Sequence, residues 1–176
     1  MKYIIFSILF LLVIAWLAGY RWNHSDSFPI GIWKITKSFN NSTDKFKIVI
    51  FCPPDTPLFK EAKSRDYLKF GILSCAHGYQ PMIKRVVAVS GDRIMISKEG
   101  IKINGVLQKN SKLLAVDSKQ RYLPQSKNTT MPYGMVWLLS DYSQQSFDSR
   151  YFGPIPISSI IGVMQPIIIS PINFTP

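Results

Sequence analysis

The chain has 176 residues, with 21 basic and 10 acidic side chains, a formal charge of +11, and 47% hydrophobic but only 18% charged residues. The charged share lies below the roughly 25% usual for soluble globular domains, largely because of one apolar run at the N-terminus. Apolar and aromatic residues recur throughout, which excludes disorder, while only two cysteines, Cys52 and Cys75, exclude a cysteine-rich scaffold. No second run is long enough to span a bilayer, so a multi-span transporter is excluded as well.

From Tyr3 to Tyr20 run 18 residues without a charge, bracketed by Lys2 and Arg21. As a helix the run would be about 27 Å long, close to a hydrocarbon core of roughly 30 Å, with Trp16, Tyr20 and Trp22 as interfacial anchors. A secretory signal cut after Ala18 is the rival reading. Signal cores are about 7–15 residues long, so the length favours an uncleaved transmembrane anchor over residues 1–21. Residues 22–176 then form one domain beyond the membrane, long enough for a real core.

After Arg21 the pattern is mostly β. The segment Ser27–Ile35 carries Pro29 and Gly31, which fit a bend and a strand start. FKIVIF (Phe46–Phe51) reads as a buried strand ended by Pro53-Pro54. Asp55–Gly78 is polar and loop-like, with at most a short helix around Leu58–Leu68. PMIKRVVAV (Pro81–Val89) is a β-branched strand closed by Ser90-Gly91-Asp92. RIMIS, IKI and VLQ follow, separated by the hairpin signals Glu99-Gly100 and Asn104-Gly105. MVWLLS (Met135–Ser140) and Ile160–Ile169 complete the strands. No repeat is present. The expected fold is mostly β: an N-terminal transmembrane helix followed by a single antiparallel β-rich domain.

The basic excess is scattered, without a run of five like charges and without the interleaved aromatics of a single-strand-binding platform. No nucleic-acid partner is expected. A solvated face accounts for the charge most simply, and an anionic membrane surface is the next reading.

Within the Pro81–Val89 strand, alternation puts Lys84 on the face of Met82, Val86 and Ala88, with Arg85 opposite beside Ile83 and Val87. A lysine on an apolar face is desolvated, which lowers its pKa. A drop of about three pH units would cost roughly 4 kcal/mol, a cost that makes sense if the neutral amine serves as a base. Taken singly, a serine near a proline is a turn residue, a strand lysine snorkels, and Asp-Ser-Arg is a surface salt bridge.

Three patterns together, SDSFPIG (Ser25–Gly31), IKRVVAVSGD (Ile83–Asp92) and SDYSQQSFDSRYFG (Ser140–Gly153), resemble the type I signal peptidase (leader peptidase) family of serine–lysine proteases. The resemblance is greatest to its conjugative-transfer, TraF-type pilin-maturation branch, which shares FCPP (Phe51–Pro54) and a Cys ahead of the Lys strand. General leader peptidases show Ser-Met-x-Pro at the nucleophile, whereas Phe28 follows Ser27 here and the proline comes one position early. They open the third motif with Gly-Asp-Asn, where Ser140-Asp141-Tyr142 stands in this chain.

The resemblance implies that Ser27 is the nucleophile and neutral Lys84 the general base. The Ser27 N–H and the Ser25 hydroxyl would hold the oxyanion, and Ser146 would orient the lysine amine. Arg85, Asp141, Asp148 and Arg150 would form a supporting ion-pair shell. It also implies an extended substrate beside the catalytic strands, a preprotein or pilin precursor cut after small residues. The location implied is the bacterial inner membrane, with the catalytic part on the periplasmic side and a conjugative-transfer apparatus as partner. No cofactor or metal is expected, because Cys52, Cys75 and His77 form no ligand spacing. His24 stands near Ser27 without an acid placed to orient it. Cys52 and Cys75, in an oxidising compartment, are expected to form a disulfide, two buried free thiols being the alternative. Competing functions are a general signal peptidase for secreted preproteins and a catalytically inactive, membrane-anchored binding module.

Overall fold

The computed structural model describes residues 2–71 and 75–170. Position 1, positions 72–74 and positions 171–176, the last two within the expected 22–176 unit, lie outside the described residues.

The first helix, α1, spans Lys2–Leu17 and buries none of its side chains. It stops short of the expected Tyr20. Gly19 takes a positive φ of 89°, and its carbonyl accepts a 3.0 Å bond from the Ile35 N–H. The chain thereby leaves the helix and enters strand β1, Tyr20–Asn23. At 16 residues the helix is about 24 Å long. No helix among the described residues is long and apolar enough to cross a membrane, which corrects the expected transmembrane span.

The remaining strands are β2 (Gly31–Lys37), β3 (Ile48–Phe51), β4 (Met82–Ala88), β5 (Arg93–Ser97), β6 (Gly100–Ile103), β7 (Val106–Leu107), β8 (Thr129–Thr130), β9 (Met135–Leu139), β10 (Ile155–Pro156) and β11 (Ile160–Ile169). They form a seven-stranded sheet, ordered β1-β2-β11-β3-β4-β9-β10, and a four-stranded sheet, β7-β6-β5-β8. Every strand pairing described is antiparallel. The mostly-β, antiparallel expectation therefore holds. The long last strand, β11, inserts between β2 and β3 and so ties the N-terminal hairpin to β3, the neighbour of the strand β4 that carries Lys84. Gly31 makes that junction possible: a Cβ there would lie 2.1 Å from the Ile168 carbonyl oxygen.

Local chemistry sets the element ends. Pro53-Pro54 offers no N–H to a ladder, so β3 stops at Phe51. Helix α2 (Pro57–Ser64) starts with Thr56 accepting from the Phe59 N–H and a proline in its first turn, and it buries Phe59 and Ala62. It is shorter than the expected Leu58–Leu68 helix. Helix α3 (Ser149–Phe152) was not foreseen; Asp148 caps it.

Three buried clusters fill the molecule. The first joins Val49, Phe51, Val86 and Leu138 to Phe59 of α2. The second packs Val87, Ala88, Trp137 and Leu139 against Ile94, Ile101 and Ile103 of the small sheet. Strict alternation had put Val87 and Ala88 on opposite faces. A register shift between Val86 and Ala88 delivers both to the second cluster. The third cluster holds Phe28, Trp33, Ile50, Ile83 and Met164.

Candidate active site

The cleft forms where three segments meet: the β1–β2 loop, the start of β4, and the loop before Asp148. It encloses about 630 Å³, and its walls include Ser25, Ser27, Lys84, Met82, Tyr67 and Phe147.

Ser27 sits in the β1–β2 loop, whose shape is set from within by Asn23. The Asn23 amide donates to the carbonyls of Ser25, Phe28 and Pro29 at 2.9–3.1 Å, and its oxygen accepts from the Ser25 N–H at 3.2 Å. Phe28 plugs the loop into the third cluster, edge-on to Trp33. Phe28, which stands where general leader peptidases carry methionine, is thus the anchor of the Ser27 turn. The Ser27 N–H donates to the Ser25 hydroxyl at 3.3 Å. The two groups expected to share an oxyanion therefore contact each other.

Lys84 lies on β4 opposite Val49, only 1% exposed. It forms no ion pair within 4 Å among the described residues. Burial pushes its pKa down to about 8; the negative charge of Asp148 raises it and the positive charge of Arg150 lowers it further. At that value a substantial share of the amine is neutral at mildly alkaline pH.

Ser146 is buried beside the cleft, between the wall residues Gln145 and Phe147. Its hydroxyl has no hydrogen-bond partner among the described residues, so the expected contact with the lysine amine is not made. The backbone of this segment is held by Arg150, which donates to the carbonyls of Gln144 and Ser146 at 2.9 Å each.

The expected four-residue shell splits into two separate pairs. Asp148 and Arg150 are both fully buried and joined by two bonds of 2.8 and 2.9 Å. Arg85 pairs with Asp141 at 2.9 Å in a half-exposed position and also donates to the Phe46 carbonyl. His24 lines the cleft but makes no ion pair among the described residues, and His77 stands 3.6 Å from Asp55, outside the cleft. Cys52 and Cys75 are joined, with Cα atoms 5.6 Å apart, as expected. The bond closes the loop that supplies Tyr67, Leu68 and Lys69 to the cleft wall.

Two residues that shape the site had no sequence signal of their own. Asn23 falls just after the apolar run, in no motif. Ser140 was visible only as a departure from Gly-Asp-Asn, yet its hydroxyl donates to the Ser27 carbonyl at 2.5 Å.

A turn serine and a desolvated strand lysine thus line one cleft. The profile of the family described as "Signal peptidase, peptidase S26" matches residues 1–169, and the chain belongs to that family. It is 41% identical over 157 residues to a plasmid transfer protein TraF of Escherichia coli, covering 88% of this chain and 85% of that one. A probable conjugal transfer protein TraF of Sinorhizobium fredii is 36% identical over 154 residues, covering 88% and 79%. A solved signal peptidase I from Enterococcus faecalis, 23% identical, covers 68% of this chain and 93% of its own with a TM-score of 0.37, too low to bear on the fold.

Proposed function

We propose that the chain is a membrane-attached serine endopeptidase that matures a pilin precursor in conjugative transfer, with Ser27 as nucleophile and Lys84 as base. The observation that carries this reading is the fully buried Lys84, without an ion pair among the described residues, sharing one cleft with Ser27. The kinship with plasmid and conjugal transfer proteins supports the setting.

In the proposed mechanism neutral Lys84 takes the Ser27 Oγ proton as the oxygen attacks the scissile carbonyl, then passes it to the leaving amine. The oxyanion takes up the Ser27 N–H and the Ser25 hydroxyl, replacing their mutual contact. Ser146 turns its unpaired hydroxyl to the amine. The substrate runs extended between Asn23–Ser25 and Gln80–Ile83, both of which line the cleft. The acyl-enzyme is resolved by water or by the substrate's own amine; a product lighter by one water marks cyclisation.

Residues 1–21 are the proposed attachment to the periplasmic side of the inner membrane, and residues 22–176 the catalytic unit. The apolar side chains of α1 are exposed along its length, and lipid is the medium that suits them. Trp16, Arg21 and Trp22 line the cleft and bring it to the membrane surface.

The test is cleavage of a candidate precursor, read by mass spectrometry. Ser27→Ala, Lys84→Ala and Lys84→Arg should each abolish it, because arginine does not deprotonate at usable pH. Replacements of Lys34, Lys37 and Lys47 should matter little. Activity should rise with pH as Lys84 loses its proton near pH 8. Full activity in Lys84→Arg sinks the assignment.

A further inference from the structure

The carbonyls of the nucleophile loop are held in two different ways. Asn23 ties those of Ser25, Phe28 and Pro29 from inside the loop. The Ser27 carbonyl is instead tied across the molecule, to a side chain 113 positions away, by the 2.5 Å bond from the Ser140 hydroxyl. Ser140 is only 1% exposed.

A serine hydroxyl has one proton to donate and two lone pairs. Both lone pairs of Ser140 are engaged, accepting from the Tyr142 N–H at 3.2 Å and the Ser143 N–H at 3.0 Å. The single proton is therefore committed to the Ser27 carbonyl, and no rotation of the hydroxyl satisfies all three neighbours otherwise. The backbone of Ser140 is fixed too, since its N–H donates to Asp148 at 3.2 Å. Asp148 is in turn locked by Arg150.

Ser140 also stands in register with the base. Leu139 pairs with Arg85 across β9 and β4, so one step along the same ladder brings Ser140 level with Lys84. One residue thus touches the nucleophile's peptide unit while sitting at the end of the strand beside the lysine.

We infer that Ser140 is a positioning residue, whose hydroxyl fixes the Ser27–Phe28 peptide and so the aim of the Ser27 side chain relative to Lys84. The inference rests on the Ser27–Lys84 reading. Fixing the carbonyl fixes ψ of Ser27, and a nucleophile misplaced by about an ångström can lose on the order of 100-fold in rate. Without the hydroxyl, the Ser27 carbonyl turns to water and the serine samples orientations that do not face the amine. Substrate binding, which uses the strand segments on either side of the cleft, is left in place.

The test compares Ser140→Ala and Ser140→Gly with the parent chain in detergent, on a precursor peptide, at a temperature where circular dichroism shows all three folded. The expected result in both variants is a kcat per folded molecule lowered about tenfold or more, with KM changed by less than about threefold. The rising limb of the pH profile should stay where it is, because Lys84 keeps its burial. A drop explained wholly by a smaller folded fraction, with kcat per folded molecule unchanged, overturns the inference, as does a fall confined to KM. Ser27→Ala is assayed alongside: if it retains activity, the underlying nucleophile assignment fails, whereas an inactive Ser27→Ala beside a fully active Ser140→Ala removes the role of Ser140 alone.

Discussion

Two buried cations occupy neighbouring parts of the molecule under opposite conditions. At the α3 corner, Arg150 donates to both oxygens of Asp148 and to the carbonyls of Asn110, Lys112, Gln144 and Ser146. Burial works to lower its pKa, but the hydrogen bonds and charge of Asp148 outweigh burial and leave it raised. In the cleft, Lys84 is as deeply buried, has no ion-pair partner among the described residues, and its pKa falls to about 8. A buried charge that is fully partnered keeps its proton and organises backbone; one without a partner holds its proton loosely and is available for proton transfer. The two regions meet at Asp148, whose carboxylate receives Arg150 and the Ser140 N–H while its charge acts on Lys84.

The comparison breaks most visibly at the paired cation. Arg150→Met strands the Asp148 carboxylate in the interior and releases four carbonyls, and should cost about 3–5 kcal/mol of stability, measured by urea unfolding. Arg150→Lys should recover little, because an ammonium cannot span the two carboxylate oxygens and the surrounding carbonyls together. A loss under about 1 kcal/mol in Arg150→Met would contradict the structural role of the pair.

The unpaired cation should behave in the opposite sense. Lys84→Met should abolish cleavage yet stabilise the fold at neutral pH by up to about 3 kcal/mol, the equivalent of lowering a pKa from 10.5 to about 8. The pH dependence follows from that depression. Below about pH 8 the lysine is charged in both folded and unfolded chains, and the folded state bears the full cost. Between about 8 and 10.5 the folded protein has released the proton while the unfolded chain still holds it, so wild-type stability rises with pH and the advantage of the variant shrinks. An advantage that grows over this range would contradict the unpaired state of the amine.

How far the sequence discloses this contrast depends on the range of the interactions. Lys84 was legible, because alternation along Met82–Ala88 puts it on the same face as Met82 and Val86. The Asn104-Gly105 hairpin and the proline stop after Phe51 were legible for the same reason: the signal lies within a few residues. The partners of Arg150 were not, since Asn110 and Lys112 reach it only when the chain has closed. Neither was the insertion of β11 between β2 and β3, because pairing order in a sheet leaves no mark on either strand. The anchor was over-read, because hydropathy runs on to Tyr20 whereas Gly19 ends the helix by its backbone conformation. Ser140 lies within the third motif, but the clue to its role is a bond to Ser27 that forms only in the folded chain.

The covalent support of the cleft is next in size. Removing the Cys52–Cys75 bond in a double Ser variant opens a loop with a sequence separation of 23 and should cost about 2–3 kcal/mol. Because that loop carries Tyr67, Leu68 and Lys69 into the wall, KM should rise more than kcat falls. A variant with unaltered stability would mean that the loop is held by its packing, with Phe59, Ala62 and Leu68 in the first cluster sufficing alone.

The smallest effect on stability, and the sharpest probe of the contrast, belongs to Ser146. Its hydroxyl is buried without a partner among the described residues, whereas its carbonyl is one of those gripped by Arg150. A single residue thus belongs to both regions, its backbone to the satisfied corner and its side chain to the cleft. Ser146→Ala leaves the backbone contact intact and deletes a polar group that makes no hydrogen bond, so stability should stay within about 1 kcal/mol of wild type or rise slightly. Activity should nevertheless fall about tenfold or more, because the lysine amine loses the one side-chain hydroxyl proposed to steer it. Paired measurements of kcat and of the urea midpoint separate the two contributions. A variant unchanged in both would assign the hydroxyl to packing, and one that loses stability and activity together would return Ser146 to the structural corner.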